Sequence, residues 1–467
     1  MSITLYPHQN EFVSKNREAL RSYQAVLAQA SCGFGKTVTA AYIARSAVSK
    51  RKRILFTVHR KDLLRQTALT FDNFRIPYGY IAADYKPNPF APVQIASMQT
   101  LRKRLHTAGH FDLVIPDEAH LSAAKGQKKI LLYYKKRGSK LMGLTATPSR
   151  LSGEGLNDIF DTMVQGPSMA WLIKEGFLSD YKIYAPASPD LHNVHTRMGD
   201  YVHSELEAAM NTNIITGNAI SHYKKLAWGK RTLAFCVSIK HSQQVAAQFI
   251  AAGVMAVHID GETKQEDRIK AFRAFAKGDI QVITSVAIFC EGFDLSAQVG
   301  KEVPVEAGII LRPTQSLTLY MQICGRFLRR KLQPAIILDH AGCVLRHGLP
   351  DDEREWSLEG NAGRKGKKQD GSEVPVRQCP QCYFVHRPMP RCPGCGYIYE
   401  VVGRIPDQVE GDLVELDKAT MKRRRMHEQS KARTLDELVA LGTRRGYKHP
   451  YSWAARVWTS REAKRRA

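Results

Sequence analysis

Residues 30–37 read ASCGFGKT, a glycine-rich turn set between the apolar run AVLAQ and the helical-looking stretch VTAAYIARSAV. In that context the backbone N–H groups of Cys32, Gly33, Phe34, Gly35, Lys36 and Thr37 can cradle phosphate, helped by the positive end of the following helix. Lys36 would reach the β- and γ-phosphates of a nucleotide, and the Thr37 hydroxyl would ligate Mg2+. The stretch departs from the usual pattern at Ala30, which leaves Gly33 and Gly35 to make the turn. Further on, Asp117-Glu118-Ala119-His120 closes the apolar run FDLVIP. A carboxylate at a strand end beside a phosphate loop is placed to hold Mg2+, which assigns Asp117. Glu118, one residue on, is placed to orient and deprotonate an attacking water. Either stretch alone could be an ordinary turn or an acidic loop; together they specify phosphoryl transfer. Pro116 removes a ladder N–H just before the metal carboxylate, so the strand is expected to leave its sheet there.

A second chemistry is written in CPQC and CPGC, whose pairs Cys379/Cys382 and Cys392/Cys395 stand nine residues apart. Four thiolates at this spacing suit a closed, structural Zn2+ site, with the prolines and glycines making the knuckle turns. A redox dithiol is the weaker alternative. His386 lies between the pairs, but four cysteines already complete the shell. The other five of the nine cysteines are scattered singly, which suits a reducing compartment and not a disulfide framework.

DEAH at 117–120, the TAT of LTATPSR at 145–147 and the QxxGRxxR pattern from Gln322 to Arg329 together resemble the superfamily 2 helicases. LYPHQ (5–9), VHRKDLLRQT (58–67), SMQT (97–100) and TSVAIFCEGFD (284–294) follow in the family's order, over roughly residues 1–345. The likeness is greatest to the RadD-like and bacteriophage branch, which also carries a four-cysteine element after the core. The resemblance implies two RecA-like domains with ATP in the cleft between them. It implies that Arg329, and next Arg326, meet the γ-phosphate, while Gln322 helps position water. Gly292 and Asp294 would lie at the same cleft, and Thr145 and Thr147 would link γ-phosphate state to domain closure. Gln9 would read adenine; Tyr6 stands where many relatives have arginine, which leaves base selectivity open. Strand contacts would come from His59, Arg60, Gln99 and Thr100 in the first domain, and from Ser238 and Thr284 in the second. Each of these could equally be a loop or cap residue.

The elements that must position these groups can be read from periodicity. Short Val/Ile/Leu-rich runs at 53–60, 93–100, 111–118 and 140–147 alternate with helical stretches. A second series follows at 231–238, 254–260, 280–288, 307–313 and 334–340. Such runs mark parallel strands buried on both faces, hence two α/β domains, at 1–165 and 166–350. The glycine- and lysine-rich stretch that follows reads as a linker (351–375), then the four-cysteine zinc module (376–400) and a basic helical C-terminal segment (401–467). From Lys418 onward there are fifteen Lys or Arg against four Asp or Glu, interleaved with Tyr447, Tyr451, Trp453 and Trp458. That mixture suits phosphate contact plus base stacking, although tryptophans packing a small helical element would account for it too.

Lys plus Arg exceed Asp plus Glu by 69 to 44, a formal charge of +25, which points to nucleic acid as a partner. No apolar run approaches the ~20 residues of a membrane span, and the N-terminus lacks a signal-peptide core, so a cytoplasmic protein, bacterial or phage-encoded, is expected. The functional reading is an ATP- and Mg2+-dependent DNA helicase or translocase in replication, recombination or repair, with a repair or replication protein as a possible partner. Its alternatives are an RNA helicase and an ATP-gated binding or remodelling module that does not separate strands. A restriction-type motor subunit is a further rival, although no nuclease element is recognisable in the chain.

Overall fold

The computed structural model describes residues 4–123, 125–148, 155–186, 191, 194–197, 200–210, 213–286, 288–289, 295–359, 375–399 and 418–466. Gly292 and Asp294 lie outside the described residues. The first domain opens with α1 (Pro7–Ser22), β1 (Ala25–Gln29), α2 (Lys36–Val48), β2 (Ile54–Val58) and α3 (Lys61–Asn73). It continues with β3 (Tyr78–Ile81), β4 (Val93–Ser97), α4 (Met98–Lys103) and β5 (Leu113–Pro116). After a 3-10 turn come α5 (Lys125–Lys136), β6 (Lys140–Thr145) and β7 (Thr162–Gln165). These strands form one parallel sheet in the order β3-β4-β2-β5-β6-β1-β7. β1 and β2 are buried at every position, which is why they read as unbroken apolar runs. The two edges, YGYI in β3 and TMVQ in β7, carry no such run because an edge strand is only half covered.

Pro116 ends pairing on one side only. β5 pairs with β6 at Leu113 and Val114, whereas on the β2 side it continues to Pro116, and the Asp117 N–H donates to Thr57 O at 3.0 Å. The strand therefore leaves β6 and stays with β2.

The second domain begins after α6 (Met169–Lys174) with β8 (Tyr181–Tyr184), the hairpin β9 (Thr196–Arg197) and β10 (Asp200–Tyr201), α7 (His203–Met210) and α8 (Asn213–Leu226). Next come β11 (Thr232–Phe235), α9 (Ile239–Ala251), β12 (Ala256–His258), α10 (Gln265–Lys277) and β13 (Val282–Ser285). α11 (Leu295–Val299), β14 (Ala307–Ile310), α12 (Leu317–Phe327), β15 (Ala335–Asp339) and α13 (Cys343–His347) complete it. Its parallel sheet runs β12-β13-β11-β14-β15-β8.

Residues 351–359, the start of the segment assigned to a linker, make specific contacts of their own. The Arg354 guanidinium donates to four carbonyls, those of Pro350, Asp352, His347 and Leu349, at 2.9–3.2 Å, and so knots the segment leaving α13. The chain then returns to the first domain. Trp356 O accepts from Gln165 Nε2, and Leu358 O accepts from the N–H groups of Leu156 and Asn157. A strap thus ties the second domain back to the first.

The four-cysteine module is built on β16 (Arg377–Gln378) and β17 (Val385–His386), an antiparallel pair. It docks on β8, the open edge of the second sheet. Ala185 N–H donates to Tyr383 O at 2.9 Å, Gln378 Nε2 donates to Ala185 O, and the Tyr184 and Phe384 rings meet at 5.3 Å. An edge strand otherwise exposes a row of unpaired backbone groups, so the module protects the sheet as well as itself. Arg387 joins it to the strap through Asp351 at 3.3 Å and Asp352 at 3.1 Å.

Residues 418–466 belong to a separate compact unit of three helices: α14 (Lys418–Lys431), α15 (Leu435–Arg444) and α16 (Pro450–Arg466). Its small core is made by Ala432, Leu438 and Ala454, with Leu435, Trp453, Val457 and Trp458 packed against them.

The strap can be tested at Gly155, where an added Cβ would collide with Leu358 O and the backbone of Glu359. Gly155→Ala should displace the strap and forfeit its two amide bonds, costing about 1–3 kcal/mol. Calorimetry should register a lower melting temperature and limited proteolysis new cleavage within 349–359. A wild-type melt and digestion pattern would show the strap to be incidental.

Candidate active site

The loop between β1 and α2 turns through two residues in the left-handed region, Gly33 at φ +83° and Gly35 at φ +91°, a conformation costly for any residue with a Cβ. Lys36 opens α2, and its ammonium spans the loop to Ala30 O at 3.2 Å; Thr37 follows, half-buried. α1 clamps this loop through Gln9. The Gln9 carbonyl oxygen accepts from Tyr6 N–H at 3.1 Å and its amide donates to Phe34 O at 2.9 Å. Both ends of that side chain are thus engaged by protein. Beside it stand aromatic rings from two segments. His8 meets Phe177 at 4.2 Å between centroids, Tyr6 meets Phe177 at 5.0 Å, and Trp171 stacks on Phe177 at 5.8 Å. Trp171, in α6, and Phe177, just after it, come from the connector between the two sheets and carry no motif that would single them out.

The acidic pair sits at the carboxyl end of β5, two strands from β1 on the same rim of the sheet. Glu118 adopts φ +48°, the left-handed region, which costs a side-chain-bearing residue roughly 1–2 kcal/mol. The turn is held by Asp117 Oδ1, which accepts from the Glu118 N–H at 3.0 Å. Burial, and then the neighbouring Glu118 carboxylate, pushes Asp117 up to about 6 against the pull of Lys36. Glu118 Oε2 is buried with no hydrogen-bond partner among the described residues; His120 Nδ1 stands 3.5 Å away. From there a chain of contacts leads out of the domain. His120 Nδ1 meets Thr145 Oγ1 at 3.2 Å, Thr145 donates to Thr147 O at 2.8 Å, and Thr147 Oγ1 meets Thr318 Oγ1 at 2.9 Å.

Thr318 belongs to α12 in the second domain, which Ser316 caps by accepting from Leu319 N–H. Thr318, Gln322 and Arg326 lie at i, i+4 and i+8, one stripe of that helix. Gln322 is buried and its amide nitrogen has no partner among the described residues. Between the last two members of the stripe is Gly325, where an added Cβ would collide with Cys32 Cβ of the phosphate loop. Burial pushes the Cys32 thiol up, and Lys36, Glu118 and Arg326 all act on it electrostatically. The loop lysine, the carboxylate and an arginine from the other domain therefore all lie within electrostatic reach of one residue. Arg329 follows the helix and pairs through its backbone with Leu178, whose side chain lies against Gly33. Arg330 is exposed, as expected of a surface charge.

The residues expected to touch nucleic acid divide. His59 and Arg60 follow β2, and Gln99 and Thr100 follow β4, the neighbouring strand in register at Val58 and Ser97. They emerge on one rim, with Gln99 exposed. Ser238 caps α9 by accepting from His241 N–H, the structural role open to it from sequence. Thr284 is corrected. It lies inside β13, fully buried, and its hydroxyl donates to Ser242 O at 2.8 Å, so it presents nothing to a ligand.

The four cysteines meet. Their sulfur atoms lie within 4.8 Å of one another, with Cys379–Cys395 at 3.6 Å and Cys382–Cys392 at 3.7 Å. A tetrahedron of Zn–S bonds near 2.3 Å requires sulfurs about 3.8 Å apart, so the set fits Zn2+. His386 is turned away, its Nε2 on Tyr399 OH at 2.8 Å.

Residues 2–150 match the family described as "Type III restriction enzyme, res subunit", and residues 216–331 match "Helicase conserved C-terminal domain". The "51.5 kDa protein" of a Lactococcus phage is 32% identical over 357 residues, 76% of this chain and 74% of that protein. The chain belongs to the superfamily 2 helicases. This helicase is also similar to the "Putative ATP-dependent helicase IRC3" of Saccharomyces cerevisiae, at 28% identity over 59% of the chain and 41% of the relative. Among solved structures, the "ATP-dependent Type ISP restriction-modification enzyme LlaBIII bound to DNA" shares the fold, with a TM-score of 0.55 at 18% identity. That alignment spans 73% of the helicase but 28% of the restriction enzyme. The paired sheets are RecA-like, and the helicase is an ATPase. No helix among the described residues is long and apolar enough to cross a membrane.

Gly325 gives the first test of this geometry. Gly325→Ala keeps every charged group but must push α12 away from Cys32. Since a 1 Å misplacement costs on the order of 10²-fold in rate, kcat should fall about that far while ATP affinity changes only a few-fold. Parent turnover in this variant would mean that the cleft tolerates the methyl and the close approach is not required.

Proposed function

We propose that this helicase is an Mg2+-dependent, DNA-stimulated motor of the DEAH-bearing phage type, in which hydrolysis waits for α12 to close on the phosphate loop. The observation that carries the reading is a pair of buried polar atoms without a hydrogen-bond partner among the described residues, one from each domain: Glu118 Oε2, with only His120 Nδ1 nearby at 3.5 Å, and Gln322 Nε2. Buried polar atoms without partners are rare and call for an explanation, and partners that arrive with substrate supply one. Lys36 and the loop N–H groups bind the β- and γ-phosphates, and Gln9 with the Tyr6–Phe177 aromatic group holds the base. Thr37 and Asp117 would hold Mg2+, which supplies charge neutralisation at the phosphates. Glu118 Oε2 takes the proton of the attacking water as its oxygen bonds to the γ-phosphorus and the bond to the β-phosphate oxygen breaks, giving ADP and phosphate. Arg326 and Arg329 meet the charge spread over the γ-oxygens, where a fixed cationic fork is worth most. The Thr147–Thr318 contact passes the state of this site to the second domain. His59, Arg60, Gln99 and Thr100 then grip the strand backbone from the rim beside it, largely without regard to sequence. The four-cysteine set would hold one Zn2+ as a structural ion.

The reading is tested by measuring ATPase rate with single-stranded, duplex and forked DNA and with RNA in parallel. DNA should stimulate more than RNA; the reverse order would make this an RNA motor. Glu118→Gln should bind ATP normally yet lose about 10²–10⁴-fold in single-turnover hydrolysis. Hydrolysis at the parent rate would remove Glu118 from the base role. Elemental analysis of protein purified without added metal should find one zinc per chain; none, together with oxidised thiols, would favour a dithiol.

A further inference from the structure

From Lys418 to the end of the chain, fifteen Lys or Arg stand against four Asp or Glu, and the fold of the C-terminal unit sorts them by task. Two arginines serve the fold itself. Arg461 donates to Ala432 O at 2.7 Å and to Gln429 O, capping the end of α14. Arg445 donates to Arg425 O at 2.8 Å and to Glu428 at 2.9 Å, and its guanidinium lies over the Trp453 ring. Three of the acidic residues serve it too. Glu428 faces Arg445, while Asp436 and Glu437 occupy the first turn of α15, where Glu437 completes a capping box with Thr434.

One stripe of α16 is left basic and hydroxylic. Ser452, Arg456, Thr459 and Ser460 are exposed at i, i+4, i+7 and i+8, and Lys448 is exposed in the turn before the helix. The fourth acidic residue, Glu462, is also exposed, but at 3.6 residues per turn it projects about 100° around the helix from the middle of that stripe.

The aromatic residues decide which nucleic acid suits this face. Stacking on single-stranded bases needs exposed rings. Trp453 and Trp458 instead pack on the core of the unit, and Tyr447 packs edge-on against Trp453 at 5.0 Å. Of the four, Tyr451 alone is largely exposed, at 65%. The stacking expected from sequence is therefore left to Tyr451 among these four, while the phosphate contacts are open. A helix of seventeen residues with short hydroxylic side chains beside basic ones fits the groove and flanking phosphates of a duplex, whose major groove admits an α-helix.

We infer that α16 and the turn before it form a duplex-DNA-binding face, gripping phosphates through Lys448 and Arg456. The inference deepens the DNA-motor reading and rests on it. Arg445 and Arg461 are excluded from the face because they hold the three helices together.

The test uses the full-length protein and fluorescence anisotropy on duplex DNA at four salt concentrations, with a melting curve for each variant. Each phosphate contact removed lowers the salt slope of log K by ~0.9 on duplex. Lys448→Ala/Arg456→Ala should therefore flatten the slope by about 1.8 without moving the melting temperature. Arg456→Lys, which keeps the charge, should leave the slope near the parent's. Arg445→Ala or Arg461→Ala should lower the melting temperature of the unit, seen by circular dichroism. A parent slope in the double variant, in protein whose ATPase still responds to DNA, overturns the face and leaves the motor reading standing. A flattened slope on single strands or RNA but not on duplex overturns the choice of ligand. Absence of any nucleic-acid response in the parent ATPase overturns the motor reading itself.

Discussion

Everything at the cleft depends on how closely α12 can approach the phosphate loop. The contact is between the Cα of Gly325 and Cys32, and there is no room for a methyl group between them. That close approach brings Arg326 into the electrostatic neighbourhood that Lys36 and Glu118 already share, all three acting on the Cys32 thiol. A guanidinium is useful to phosphoryl transfer only if it is fixed where charge develops. Here the fixing is done by a glycine packed on the Cβ of Cys32, an atom that no rotamer change can move aside. The glycine in QxxGRxxR thus has a steric reason in this chain, and on the proposed reading the arginine beside it has a chemical one.

The sheet order explains how the phosphate loop and the proposed strand-gripping residues come to share one rim. In the first domain β5, β6 and β1 are neighbours, and their carboxyl ends carry Glu118, Thr145 and the phosphate loop. β2 and β4 lie on the other side of β5 and end in His59 and Gln99. β5 is the border between the two halves, and Pro116 marks it by ending the ladder toward β6 while the ladder toward β2 continues. Ligands of parallel α/β sheets sit beyond the carboxyl ends of the strands, so both sites fall on one rim by topology.

Much of this is legible in the sequence, and what is not has physical causes. The buried strands can be read because burial on both faces demands continuous apolar residues. β3, β7 and β8 escape because each is a sheet edge, half covered, and its residues look like loop. Thr284 misleads because a threonine near a strand end looks the same whether it points outward or bonds inside the sheet; here Ser242 O takes its hydroxyl. The strap is invisible because Arg354 binds carbonyls, an interaction that leaves no pattern in sequence. Likewise nothing in the connector marks Trp171 and Phe177 as neighbours of His8. Chemistry-bearing residues are recognisable by type and spacing; residues that act by being near them are not.

The magnitudes separate what holds the two domains together from what tells one about the other. The Thr147–Thr318 contact is a hydrogen bond between neutral hydroxyls, worth about 1 kcal/mol net. It cannot hold two domains in register. That falls to the apolar cluster shared by both, which includes Phe34 from the first domain and Met321 and Cys324 from the second, together with the strap that returns Leu358 to the first domain. Burying such side chains contributes about 1.5–3 kcal/mol each. A strong apolar contact with a weak polar one beside it lets the hydroxyl pair break for little free energy while the domains stay assembled. On the proposed reading, that weakness is what suits the threonine pair to report the state of the γ-phosphate site, since a bond of several kcal/mol there would hold the cleft in one position.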